Sequence, residues 1–260
     1  MARVITAAVG IPAIVMLSLQ GGWPFCLFVL ALAEGGLVEY YRLTLVPGLF
    51  CSWGYLVSAL LIIGTFVHGL EYSWLLFTGG LVGLLMVVLF GFPQYNFQQA
   101  GTALLGACYI PLFFSYLLLL RALPQGEWFV LLAFVLTWTA DSAAFLVGSY
   151  FGHYKLAPKL SPHKTWAGAG AGLVSSVVVM LLLAPKLGLG WFQGATIGAL
   201  VGLAAMLGDL LESALKRLAQ VKDAGSILPG HGGILDRFDA LLLVAPTLYF
   251  FLRLVWGGGL

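Results

Sequence analysis

The sequence predicts an all-α, polytopic integral membrane protein, and three observations carry that prediction. Hydrophobic residues fill 61% of the 260 positions while only 8% are charged, against roughly 25% in a soluble domain. The 12 Lys and Arg with the 10 Asp and Glu are too few to cover a water-facing surface of this size. The apolar residues also fall in runs of about 20, the length that carries a helix across ~30 Å of hydrocarbon. Barrel strands alternate over about ten residues, and these runs are too long and too evenly apolar for that. Disorder is excluded by the same composition. A net charge of +2 with no basic stripe argues against a nucleic-acid partner.

Taken in order, the runs between polar breaks place nine spans at 4–20, 23–41, 49–70, 73–92, 100–120, 127–149, 168–185, 189–209 and 239–256. The first follows Met1-Ala-Arg-Val and reads as a retained helix, because many spans follow it. The second is the least regular: it carries Glu34, Glu39 and the Gly35-Gly36 pair, and Glu39 with Arg42 makes the evident local ion pair. Glycines such as Gly79, Gly80 and Gly83, then Gly168, Gly170 and Gly172, then Gly198 and Gly202 predict close helix packing. Trp23, Trp74, Trp128 and Trp256 sit near span ends, as interfacial anchors do. Cys26, Cys51 and Cys108 lie singly in apolar runs and read as small buried hydrophobes. The whole chain, 1–260, is expected to form one membrane domain.

The cations fix an expected orientation. With the N-terminus in the cytoplasm, Arg3, Arg42, Lys155, Lys159, Lys164, Lys216, Arg217, Lys222 and Arg237 fall inside, and only Arg121, Lys186 and Arg253 fall outside. That bias satisfies the positive-inside rule. Charge is also uneven along the chain. Seven charged residues occupy positions 1–140, whereas fourteen occupy 141–239, so any chemistry is expected in the second half.

Three clusters stand out there. Asp141 lies deep in the sixth span, where a carboxylate is expensive unless it is paired or faces a wet cavity. The run from Gly152 to Trp166 carries Lys155, Lys159 and Lys164 with Ser161 and Thr165, and its prolines Pro158 and Pro162 forbid a regular helix. Lysines interleaved with hydroxyls suit an oxyanion. In the third cluster, Asp209, Glu212, Ser213 and Lys216 share one face if the helix continues, with Arg217 beside Ser213. Lys222 and Asp223 follow, then the breaks at Pro229-Gly230 and Gly232-Gly233 around His231, then Asp236, Arg237 and Asp239. Four aspartates among Lys and Arg at one bilayer surface suggest Mg2+ with phosphate groups, because Mg2+ binds through a few carboxylates together with substrate phosphates. A zinc site is disfavoured, since His231 has no partner at ligand spacing, and no phosphate-binding glycine motif occurs.

Ser213-Ala-Leu-Lys216-Arg217, then Lys222-Asp223, then Leu228-Pro229-Gly230-His231-Gly232-Gly233-Ile-Leu-Asp236-Arg237-Phe238-Asp239 resembles the signature of the phosphatidate cytidylyltransferase family, the CDP-diglyceride synthases. Asp141-Ser142-Ala-Ala-Phe145 and the run from Lys155 to Trp166 resemble a second stretch of that family, with Ala167 departing from an acidic residue common there. Glu39-Tyr40-Tyr41-Arg42 is the recognisable part of the first half.

The resemblance implies a multi-pass enzyme of the inner (plasma) membrane, with its site facing the cytoplasm among membrane lipids. It implies CTP and phosphatidic acid as substrates, CDP-diacylglycerol and pyrophosphate as products, and homodimerisation. It also implies Mg2+, with K+ as a second cation. The metal carboxylates map onto Asp209 and Asp236, with Asp239 and Asp223 close by in the signature. Lys216, Arg217, Lys222 and Arg237 are then expected on phosphates, Ser213 as a donor, and His231 on phosphate or on the glycine turn. Lys155, Lys159, Ser161, Lys164 and Thr165 are expected to close the pocket from the other loop. The rival readings are a CTP-dependent lipid-alcohol (polyprenol or phytol) kinase and a membrane transporter. Inverted repeats expected of a transporter are at odds with charge gathered in one half.

Overall fold

The computed structural model describes residues 2–227 and 232–256, so the expected turn around Pro229, Gly230 and His231 lies outside the described residues, as do the side chains of Arg3, Trp74 and Trp256. Each expected span has its helix: α1 Ala2–Gln20, α2 Gly22–Thr44, α3 Gly48–His68, α4 Leu70–Phe90, α5 Phe97–Ala122, α6 Gly126–Phe151, α7 Trp166–Leu183, α8 Trp191–Leu218 and α9 Leu235–Trp256. Seven of these, α2, α3 and α5 to α9, are long and apolar enough to cross a bilayer. The apolar stretches described in α1 and α4, Ala8–Gln20 and Leu75–Phe90, are shorter. The protein is thus an all-α, multi-pass membrane protein. The apolar face that each helix leaves uncovered fits that solvent: along α3, Leu56, Leu60, Ile63 and Val67 form an exposed stripe at helical spacing, while Phe50, Val57, Leu61 and Ile62 are buried behind it.

The chain forms two compact units. The first comprises residues 1–128 with the later segment Val221–Arg237, and the second comprises Phe129–Gln220 with Phe238–Leu260. In the first unit α5 is the core: Ile110, Phe114, Leu117 and Leu120 are fully buried, and α2, α3 and α4 pack on it. Polar side chains satisfy carbonyls between helices. Tyr40 and Tyr41 of α2 donate to the carbonyls of Thr102 and Ala103 at 3.2 and 3.0 Å, and Trp53 of α3 donates to Gly80 of α4 at 3.0 Å. Asn96 and Gln99 close a reciprocal capping box that starts α5. Arg121 donates to the carbonyls of Ser18 and Leu19 at the end of α1 and pairs with Glu127 at 3.4 Å. Trp23 and Trp128 are exposed as the anchor reading expects, Trp23 edge-on against Phe66. Cys26 is buried and Cys51 and Cys108 are half-buried, with no disulfide among the described residues.

In the second unit α7 and α8 form an antiparallel pair joined by a 3-10 turn at Ala184–Leu187. Their backbones approach as closely as glycine allows. A Cβ on Gly198 would lie 2.6 Å from Val177 Cα, and one on Gly202 would lie 2.9 Å from Leu173 Cα. Between α6 and α7 the lysine-rich run folds as a small hairpin, an element for which the residues carry no positive sign. Strands β1, Lys155–Ala157, and β2, Ser161–Thr165, pair antiparallel, with Lys155 opposite Thr165, Ala157 opposite Ser161 and an irregularity between. Pro162 is tolerated because a two-stranded ribbon has an open edge on each side.

Replacing Gly198 or Gly202 by Leu should therefore force α7 and α8 apart and destabilise the second unit by about 1–3 kcal/mol, the usual cost of overpacking. Thermal unfolding in detergent should show a lowered midpoint for either variant, while Gly170→Leu, at a position with open space around it, should leave the midpoint near that of the parent.

Candidate functional site

The helix α8 does not stop where its apolar run ends. It continues to Leu218 and carries Asp209, Glu212, Ser213 and Lys216 along one face. Glu212 and Ser213 are buried, and so is Asp239 on α9. The two helices meet at Gly208: a Cβ there would stand 2.5 Å from the Asp239 carbonyl and 2.9 Å from Ala240 Cα. Only glycine permits this approach, and it sets Asp239 beside Asp209 and Glu212. One carboxylate oxygen from each of the three lies within 4.8 Å of the others. Lys164 of the hairpin reaches Asp209 Oδ2 at 2.6 Å, and Lys216 reaches Glu212 Oε2 at 2.5 Å.

Three carboxylates facing two ammonium groups leave the cluster short of positive charge when all are ionised. Oxygens bound to one Mg2+ at ~2.1 Å stand roughly 3–4 Å apart, so small side-chain adjustments would let these three hold one ion. The donor set is all oxygen, acidic and largely buried, which fits a hard divalent cation and not zinc.

Asp209 also lines a cavity of about 600 Å³ within the second unit, a size typical of ligand sites. Lys155, Ser161, His163 and Lys164 of the hairpin and Asp141 of α6 bring polar groups to it. Much of its remaining wall is built from small residues, Ala140, Ala144, Gly148, Gly168, Gly172 and Gly202. Thr165 lines it too, but its hydroxyl oxygen accepts from the Gly168 N–H at 3.1 Å and so caps the start of α7. Arg217 donates to the Leu160 carbonyl at 3.0 Å, which holds the hairpin turn to α8. Lys159 is exposed at that turn and is not among the residues lining the cavity.

Lys222, Asp223, Asp236 and Arg237 of the signature belong to the first unit. Lys222 and Asp223 are exposed at the start of the segment 221–237, and Arg237 is exposed near its end. Asp236, in the first turn of α9, accepts through Oδ2 from the backbone N–H of Ala224 at 2.9 Å and of Gly233 at 2.8 Å. Next to it the fully buried Glu39 of α2 accepts through Oε1 from Ile234 N–H and through Oε2 from Leu235 N–H, both at 2.9 Å. The local pair expected between Glu39 and Arg42 is thus not where the carboxylate oxygens of Glu39 are engaged. His231 falls outside the described residues.

Sequence reasoning does not nominate Glu212 as a ligand, although its spacing of three from Asp209 is the available signal. His163 stands in the lysine cluster, where its neighbours carry the stronger signal. Nothing in the sequence joins Glu39 to the signature.

The cytidylyltransferase family profile matches residues 1–255. The phosphatidate cytidylyltransferase of Bacillus subtilis is 34% identical over 269 residues, covering 97% of each chain. Those of Synechocystis sp. and Staphylococcus aureus are 31% and 32% identical, over 97% and 95% of this chain and 96% of their own. The chain belongs to the cytidylyltransferase family.

Proposed function

We propose that the protein is a phosphatidate cytidylyltransferase, which joins CTP and phosphatidic acid to give CDP-diacylglycerol and pyrophosphate. The observation that carries this reading is the acidic group of half-buried Asp209 with buried Glu212 and Asp239, and its two lysines, which meets through Asp209 a cavity lined by cations and hydroxyls. The phosphate monoester of the lipid is already a nucleophile, so no activated Ser or Cys is needed. One of its oxygens bonds to the α-phosphorus of CTP as the bond from that phosphorus to the β-phosphate oxygen breaks, and pyrophosphate leaves. The protein's part is positioning and charge neutralisation.

Asp209, Glu212 and Asp239 are the residues that would hold Mg2+, whose charge supports phosphoryl oxygens during transfer. Lys155, His163 and Lys164, with the Ser161 hydroxyl, face the cavity where phosphates are to be bound. Lys164 is held in place by Asp209, and Arg217 holds the hairpin that carries Lys164. Lys216, paired with Glu212, and the nearby Ser213 extend this polar face along α8. By the family resemblance Asp236 is also a metal carboxylate with Asp223 close by, Lys222 and Arg237 contact phosphate, Lys159 closes the pocket from the hairpin, and His231 serves phosphate or the glycine turn. K+ as a second cation and a homodimer belong to the same proposal. The cation bias supports a cytoplasmic position at the inner membrane for the hairpin and the signature segment, where a soluble nucleotide meets a lipid headgroup.

With purified protein in lipid vesicles, Mg2+ and phosphatidic acid, label from the α-phosphate of CTP should enter the lipid as pyrophosphate is released. Label entering from the γ-phosphate would instead identify a lipid kinase, and solute flux without nucleotide turnover a transporter. Glu212→Gln and Asp239→Asn should each lower kcat by ~100-fold or more, the scale of losing one charge-stabilising group. Each should also raise the Mg2+ concentration needed for half-maximal rate, while gel filtration in detergent shows the protein still folded.

A further inference from the structure

We propose that Glu39, on the second helix and far from the signature in sequence, is a positioning residue that holds the start of α9, at the end of the signature, in its working place. This deepens the proposed function and rests on it. Ile234 and Leu235 open α9, where backbone N–H groups have no partner within the helix. Neither is left to water: both are buried, and each donates to a different oxygen of the Glu39 carboxylate at 2.9 Å across 195 and 196 residues of chain. A bidentate carboxylate on two successive amides fixes both the position and the direction of the helix start, and it favours the positive end of the helix dipole.

The surrounding residues are shaped to this joint. A Cβ on Gly225 or Gly233 would strike the Glu39 carboxylate, and a Cβ on Gly35 would strike the Ile234 side chain. Gly36, the next residue on α2, leaves 3.2 Å between a virtual Cβ and Leu235. Glycines on α2 therefore admit the side chains of the segment, and glycines of the segment admit the carboxylate of α2. Asp236 completes the arrangement by drawing in the amides of Ala224 and Gly233. Ala224, which directly follows Lys222 and Asp223, is thus tied by one carboxylate to the start of α9. The substitution Glu39→Gln would keep the shape but turn a side-chain N–H2 towards a backbone N–H, so one of the two bonds is replaced by a donor facing a donor.

The test compares the full-length protein with Glu39→Gln and Glu39→Ala in vesicles, with CTP, phosphatidic acid and Mg2+. Expected for Glu39→Gln is a ~10–100-fold fall in kcat, the usual scale for a group supporting a site from behind. The KM for CTP should stay within about threefold and the detergent unfolding midpoint should stay close to the parent. Amide exchange at Ile234 and Leu235 should rise ~10-fold or more while exchange in α5 is unchanged. Glu39→Ala should show the same pattern more strongly. Parent-like kcat and exchange in both variants would overturn the role, and so would activity that falls only in proportion to folded protein. The unmutated protein separates the two readings: absence of its own turnover removes the proposed function, whereas a parent-like Glu39→Gln removes only the part given to Glu39.

Discussion

An ionised side chain at the centre of a bilayer costs about 2.5–3.5 kcal/mol on insertion scales, and more when nothing meets it. That cost orders the distribution of charge in this protein. Several acids and bases of the apolar helices are met by specific partners: Glu39 by two amides, Arg121 by two carbonyls and Glu127, and Arg253 by the Tyr249 hydroxyl. Elsewhere the charges are pooled. Pooling lets Asp209 and Lys164, and Glu212 and Lys216, shield each other, and the same concentration of charge suits a site for phosphates.

Close backbone approach is the second requirement of that pooling. Carboxylates from different helices meet only where helix axes come near, and Gly208 provides this for Asp239 against α8. The small residues on α6, α7 and α8 beside Asp209 meet the same requirement: a Cβ on Gly168 would stand 2.6 Å from the Ala144 carbonyl, and one on Gly172 3.1 Å from the Ala140 carbonyl. The cavity is therefore bordered by helices set as closely as their glycines allow.

Most of the helical frame was legible in the sequence, because hydrophobic length is an almost direct reading of bilayer thickness. The ends were less so. Polarity marks where a helix leaves hydrocarbon, not where its hydrogen bonds stop, and α8 runs nine residues past the apolar limit at 209. The hairpin was visible only as an absence of helix, since Pro158 and Pro162 forbid one pattern without dictating another. Within the site, residues one or two helical turns apart, such as Asp209, Glu212 and Lys216, were readable as a common face. Contacts that close over long separations were not: Lys164 with Asp209, or Glu39 with Ile234, depends on how helices are arranged, and no local periodicity encodes that.

The order in which the first unit is completed has a consequence for biogenesis. Its helices α1 to α5 are synthesised first, but the segment Val221–Arg237 that completes it is made only after α6, α7 and α8. At ~5–20 residues per second, the 195 positions between Glu39 and Ile234 correspond to roughly 10–40 s of translation. Throughout that interval the nascent chain holds a membrane carboxylate whose amide partners do not yet exist. The early helices are therefore an unfinished fragment until the ribosome has passed the signature, and a chain truncated before it lacks the means to close its own first unit.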